Sequence, residues 1–181
     1  MNQIVIVEAQ AGHIAAIRDI YAHHVQHSVA TFETEPPDEA DMLQRWQRIH
    51  DAGLPWLVAT EHHQVLGYCY LGFYRPRQAY RFTLEDSIYL HPDHLGRGIG
   101  KRLLHTALWQ AEQRGFRQVV SVVANTPSPA SLHLHLALGF QQVGTLQAVG
   151  MKHGRWVDTL LLQRALGEGA ASLPALEETA S

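Results

Sequence analysis

His91-Pro-Asp-His-Leu-Gly-Arg-Gly-Ile-Gly-Lys-Arg-Leu-Leu104 sets Gly96, Gly98 and Gly100 at alternate positions between a strand-like run and a helix-like one. Glycine is the least favourable ordinary residue beside a helix start, unless something must come very close to the main chain there. A strand, a glycine-rich turn and a helix N-terminus together make an anion site, because unpaired amides and the helix dipole converge on one spot. The rest of the chain decides which anion that is, or whether the turn is only tight packing.

The chain has 181 residues, enough for one domain with a real core, and is 46% hydrophobic and 17% charged. A formal net charge of -3 argues against a nucleic-acid or anionic-membrane partner, since both need clustered Lys and Arg. One cysteine, Cys69, excludes an internal disulfide and fits a reducing compartment. MNQIVIVEAQ lacks the basic and apolar segments of a signal peptide, and no apolar run reaches membrane-spanning length. A cytoplasmic protein is expected. Among thirteen histidines, the pairs His23/His24, His62/His63, His91/His94 and His133/His135 lack the i,i+4 spacing of a helical metal site, so no metal is expected.

Read along its length, the chain alternates. Ile4–Glu8 predicts a strand and His13–His24 a helix, with apolar residues at Ile14, Ile17, Ile20 and Tyr21. After the polar loop VATFETEPPDEAD, Pro37 and Asp38 start a second helix that Gly53 stops. Trp56–Thr60 and Val65–Phe73 read as a hairpin, Arg75–Arg81 as an arginine-bearing loop and Ser87–Leu90 as a strand. Lys101–Arg114 is an amphipathic helix closed by Gly115, and Gln118–Ala124 a strand buried on both faces. Ser128-Pro129 reads as a cap and first residue of a helix ending at Gly139. Gln141–Leu146 and Val157–Gln163 are the last strands, and residues 167–181 a frayed tail. The expectation is a mixed α/β fold in one domain, residues 1–166, with a flexible tail.

That order discriminates among phosphate sites. A P-loop closes on Gly-Lys-Ser/Thr, whereas Arg102 follows Lys101. A dinucleotide fingerprint reads G-x-G-x-x-G near the first strand; here the run is G-x-G-x-G, mid-chain, after a hairpin meander. Two readings remain, a tight turn made for close packing and a cradle for the pyrophosphate of coenzyme A. IYLHPDHLGRGIGKRLL resembles the acetyl-CoA motif R/Q-x-x-G-x-G/A of the GNAT superfamily of N-acetyltransferases, and PSPASLHLHLALGF resembles its second CoA motif. VATFETEP, the stretch from WLVAT to SIYL, and GTLQAVGMKHGRWVDTLLLQRAL are similar to the phosphinothricin and methionine sulfoximine acetyltransferase branch.

The resemblance implies a central twisted mixed sheet with a splayed strand pair, about four flanking helices, and direct attack of an amine on the thioester of acetyl-CoA. Catalysis is then mostly positioning and electrostatics. Glu85 matches the family's base, with Asp86 beside it as second choice. The Leu90 amide matches the donor to the thioester oxygen. Ile88, Tyr89 and Leu90 would pair with the pantetheine arm as a false strand, and the amides of Leu95, Gly96, Arg97, Gly98, Ile99, Gly100 and Lys101 would hold the pyrophosphate. Two departures stand out. Leu95 occupies the R/Q position. Ser128 and His135 stand where the second motif usually has Asn and Tyr, so His135 takes the place of the thiolate's proton donor or of a CoA contact. Asn125, at the end of the preceding strand, is expected as a further CoA contact.

For the acceptor, Arg75 and Arg77, with Tyr80 behind them, suit the carboxylate of a small amino acid analogue. Phe32 and Glu33 would close over its amine and side chain. Lys152, His153 and Trp156 would line the same pocket or a dimer partner's. A homodimer is expected from the resemblance. Another amine, such as a protein N-terminus or a polyamine, and a CoA-binding module without chemistry are the alternatives.

Overall fold

A computed structural model describes residues 3–175. Within them the elements run β1 (Val5–Glu8), α1 (Ile14–His27), α2 (Glu39–Asp51), β2 (Trp56–Glu61), β3 (Gln64–Phe73), β4 (Thr83–Leu90), α3 (Ile99–Gln113), β5 (Gln118–Ala124), α4 (Ala130–Ala137), β6 (Gln141–Lys152) and β7 (Arg155–Ala165). This is the mixed α/β order expected from the sequence.

The strands form one sheet in the order β1-β2-β3-β4-β5-β7-β6. Every neighbouring pair is antiparallel except β4 and β5, which run parallel and are joined through α3. Alternation along β3 sorts the two faces. Tyr68 and the adjoining Trp56 and Val58 meet Ile14, Ile17 and Ile20 of α1 and Met42 and Trp46 of α2. Cys69 and Leu71 turn to the other face, where Leu103, Leu104 and Leu108 of α3 pack on Leu84, Val119 and Leu162. Those three α3 leucines are 0–2% exposed. Each contributes about 1.5–3 kcal/mol of burial, so the helix carrying the glycine turn is held firmly to the sheet.

β4 follows β3 in unbroken register from Gly67↔Leu90 to Phe73↔Leu84. It pairs with β5 only at Thr83↔Gln118, Leu84↔Val119 and Glu85↔Val120. Beyond Glu85 the two strands part, and this fork organises the site.

Several boundaries differ from the sequence reading. Asp38 caps α2 by accepting from the Asp41 N–H (2.8 Å), so the helix starts at Glu39. In α4 the cap position is Pro129, with no side-chain cap bond; Ser128 lies one residue earlier and contributes its carbonyl to Ala130. β6 and β7 extend well past Leu146 and Val157 into one long hairpin. It is tolerated because Ala148, at φ +51, donates its N–H to the Asp158 carboxylate (2.7 Å), and His153 and Gly154 make a left-handed turn. The expected tail is held as far as Leu173: the Arg117 guanidinium donates to the carbonyls of Gly169 (3.0 Å), Ser172 (3.3 Å) and Leu173 (3.4 Å). Residues 176–181 of that tail lie outside the described residues.

Candidate active site

The glycines divide by task. Gly96 and Gly98 both sit at φ +73, where a side chain is strained, yet a Cβ at either would meet nothing within 4 Å. Gly98 is the cap residue of α3, with no side chain occupying the helix's first amides. Gly100 is different: its Cβ would lie 3.3 Å from Leu134 Cδ2 and 3.5 Å from Leu90 Cδ1, so it serves the packing of α3 on β4 and α4. The turn and open helix terminus fit an anionic pyrophosphate, and Lys101 stands exposed beside them. Arg97 and Leu95 point elsewhere. Arg97 forms a bidentate pair with Glu61 (2.9 and 3.1 Å), and Leu95 is exposed.

At the fork, the His91 N–H donates to the Leu66 carbonyl (2.9 Å). In an antiparallel ladder the paired residues alternate, so Ile88 and Leu90 turn their main-chain groups away from β3, toward the side β5 has left. A free strand edge of that kind can accept an extended chain. The Leu90 carbonyl receives the His24 Nε2–H at 2.8 Å from α1. The Tyr89 side chain goes the other way, against Tyr21 (5.1 Å) and Tyr68 (5.6 Å). Asn125 and Ser128 lie exposed beyond the open end of β5, where the Asn125 N–H donates to the Asp158 carbonyl.

The pleat separates the two adjacent carboxylates. Glu85 is half-buried on the α1/α2 face, opposite Gly72. Burial raises its pKa, the Asp86 charge raises it further and Arg75 lowers it. Asp86 points into the opposite core, 7% exposed, so it is not placed to exchange roles with Glu85. Its Oδ2 lies 2.8 Å from His135 Nε2. The His135 ring is itself 1% exposed, with Nδ1 on the Ser131 carbonyl at 2.6 Å. Neither ring nitrogen is free to face a departing thiolate in this arrangement.

Of the acceptor residues, Phe32, Glu33 and Lys152 are brought together. The Phe32 ring lies against Gly150, Glu33 accepts from Arg45 (2.5 Å), and the buried Lys152 donates from Nζ to the Thr31 carbonyl (2.7 Å). Burial lowers the Lys152 pKa, and the Glu33 charge opposes the shift. Arg75, Arg77 and Tyr80 stand exposed beyond the Glu85 end of β4, with the Arg75 guanidinium 4.6 Å from the centre of the Tyr74 ring. His153 and Trp156 fall outside both groups, exposed at and after the hairpin turn. A groove of about 520 Å³ on the Glu85 face is lined by Arg45, Arg48, Trp56, Tyr70, Gly72 and Phe73, among others.

Sequence reasoning overlooks His24, Thr31, Arg45, Tyr70 and Ser121. Tyr68 and Tyr70 alternating with Cys69 and Leu71 was the available signal for an aromatic polar face. It also overlooks His23 and His27, one turn apart on α1 with ring centres 4.9 Å apart. Among the described residues, no group of three or more His, Cys, Asp or Glu is arranged to hold a metal, and no helix is long and apolar enough to cross a membrane.

A glycine turn on a helix terminus, beside a forked parallel pair with a half-buried carboxylate, is the framework of an acyl-CoA acyltransferase. Residues 15–140 match the Acetyltransferase (GNAT) family, and the chain belongs to it. Phosphinothricin N-acetyltransferase of Alcaligenes faecalis is 50% identical over 161 residues, 89% of this chain and 82% of that protein. L-methionine sulfoximine/L-methionine sulfone acetyltransferase of Salmonella typhimurium is 36% identical, covering 87% and 91%. The crystal structure of a GNAT superfamily phosphinothricin acetyltransferase from Sinorhizobium meliloti in complex with AcCoA superposes with a TM-score of 0.92 at 44% identity, covering 95% and 93%. The chain is accordingly an acetyltransferase.

Proposed function

We propose that this enzyme transfers the acetyl group of acetyl-CoA to the amino group of a small amino acid analogue of the phosphinothricin, methionine sulfoximine or methionine sulfone type. One observation carries the reading: Glu85, its proton affinity raised by burial and by the neighbouring Asp86 charge, stands at the inner end of the fork between β4 and β5. Acetyl-CoA supplies the acyl group as a thioester. Glu85, directly or through water, takes a proton from the incoming ammonium, whose pKa of about 8 is within reach of a carboxylate with raised affinity. The Leu90 N–H faces the gap where the thioester oxygen gains charge. The first amides of α3 hold the pyrophosphate, with Ile88 and Leu90 pairing the arm while the Tyr89 main chain stays on β3, and Asn125 and Ser128 flank it. His135, expected from the resemblance to protonate the thiolate, has both ring nitrogens engaged and transfers no proton in this reading; it stands at the fork from the α4 side.

Arg75, Arg77 and Tyr80 hold the acceptor carboxylate, while Phe32, Glu33 and Lys152 cover its far end. The test is CoA release with phosphinothricin, methionine sulfoximine and methionine sulfone: turnover of other amines but none of these overturns the substrate assignment. Two copies pair through the β6–β7 hairpin in this reading, since Met151 (61% exposed) and Trp156 (70%) present apolar surface there. Sedimentation of Trp156→Asp as a monomer would support that pairing. A cytoplasmic location accords with Cys69, free and buried.

A further inference from the structure

Asp86 and Ser121 are the first residues on β4 and β5 beyond their last paired positions, Glu85 and Val120. Both reach one atom: His135 Nε2 lies 2.8 Å from Asp86 Oδ2 and 2.9 Å from Ser121 Oγ. An imidazole from α4 therefore joins the strands where main-chain bonding stops. A carbonyl only accepts, so Nδ1 against the Ser131 carbonyl carries hydrogen. With Asp86 ionised, Nε2 against its carboxylate oxygen carries the second proton, and the pair is then an internal imidazolium–carboxylate bridge. The two side chains are each 1% exposed, and Asp86 Oδ1 is buried with no hydrogen-bond partner among the described residues. Burying such a pair costs desolvation that an apolar pair of the same volume avoids, so stability alone does not account for it.

We propose that Asp86 is a positioning residue for acetyl transfer: it holds the His135 ring at the fork, so that a side-chain bridge closes the inner end of the thioester slot. The inference rests on the acetyl-transfer reading above and goes beyond it. The ring keeps both protons and hands neither over. Together with the Asp86 carboxylate it forms a fixed, neutral ion pair that ties α4 to the parting strands at the inner end of the slot, where the thioester must be held in line for attack. Burial alone would lower the His135 pKa; the Asp86 bond and charge and the Ser131 carbonyl outweigh it and raise it. Cys69 on β3 and Glu85 on the reverse face of β4 are the other titratable groups that feel the Asp86 charge. Ser121 faces the pair from β5, the Phe140 ring meets the imidazole edge-on at 4.9 Å, and α3 presents only apolar residues to this core.

The test follows the imidazole of the full chain by NMR with labelled histidine, alongside steady-state kinetics. In the wild type His135 keeps its proton above the ordinary imidazole range, and kcat falls on the alkaline side as that proton leaves. Asp86→Asn keeps the shape and removes the charge; the ring then titrates lower, and kcat drops roughly tenfold or more while the KM for acetyl-CoA stays within about twofold. The double variant Asp86→Asn/His135→Gln loses no more than the worse single one. Additive losses, an unchanged kcat in Asp86→Asn, or a wild-type ring already neutral near neutral pH each overturn the proposal. Should Asp86→Asn fail to fold, the wild-type titration and its match to the kcat profile decide. Wild-type protein with the expected titration but no CoA release from any amine would overturn the acetyl-transfer reading instead, taking the role of Asp86 with it and leaving the ion pair standing.

Discussion

His24 on α1 donates from Nε2 to the main-chain carbonyl of Leu90 at 2.8 Å, so a helix on one face of the sheet fixes the last residue of β4. A helix that carries no part of the glycine turn thus governs the edge on which the thioester would lie.

His24→Ala leaves that carbonyl without its partner, which costs about 1–3 kcal/mol of stability and raises the KM for acetyl-CoA more than that for the acceptor. Burial lowers the His24 pKa, against the Leu90 carbonyl, which raises it. As pH falls from the ordinary imidazole value toward the lowered one, the unfolded chain takes up the proton first and the native state loses stability. Thermal melts across the mildly acidic range check this: the wild type loses stability as pH falls there, and His24→Ala shows a shallower slope.

Glu85→Gln lowers kcat/KM by about 10²–10⁴-fold and leaves acetyl-CoA affinity, read by calorimetry, unchanged. Burial first, then Asp86, raises the carboxyl pKa, so the acid limb of the wild-type kcat/KM profile lies above the ordinary carboxylate range. Arg75 opposes that shift, so Arg75→Ala moves the limb further up. A profile that keeps its acid limb in Glu85→Gln, or shifts downward in Arg75→Ala, assigns the limb to another group.

The framework was legible because it is written in local signals. Gly96 to Gly100 at the start of α3, and the apolar run of β5, each state their conformation within a few residues. The fork was carried by family resemblance, since parting strands leave no periodic mark. What stayed hidden is relational. Glu85 and Asp86 are neighbours in sequence and face opposite cores, which depends on the pleat of β4 and its register with Gly72 and Leu71. His135 reads as a helix histidine until α4 is packed, when its ring proves to be joined to Ser121, fourteen residues upstream. Lys152 reads as a surface lysine until the loop after α1 folds over it and the Thr31 carbonyl takes its ammonium.

Gly98→Ala tests the cradle. At φ +73 a Cβ costs about 1–2 kcal/mol, with open space around it, so the fold survives. The added methyl stands where an anion would approach the amides, and acetyl-CoA affinity drops several-fold more than the stability loss accounts for. Gly100→Ala meets Leu134 at 3.3 Å instead, and its effect is on thermal stability with affinity nearly unchanged. Equal effects of the two substitutions on acetyl-CoA affinity would mean the turn does not hold the pyrophosphate.

Gly150→Ala tests the cover over the acceptor. A Cβ there would lie within 2.5 Å of Phe32 Cζ and closer still to Cε2, so the ring must swing away from β6. Phe32 is already 39% exposed, and the displacement costs about 1–3 kcal/mol rather than unfolding the chain. The loop after α1 moves with it, so the acceptor KM rises while the KM for acetyl-CoA holds. Phe32→Ala reproduces the acceptor defect by removing the ring. In that background Gly150→Ala adds little further, because the ring that its three nearest contacts belong to is gone. A second, additive loss would show that Gly150 serves the acceptor through the β6 main chain rather than through Phe32.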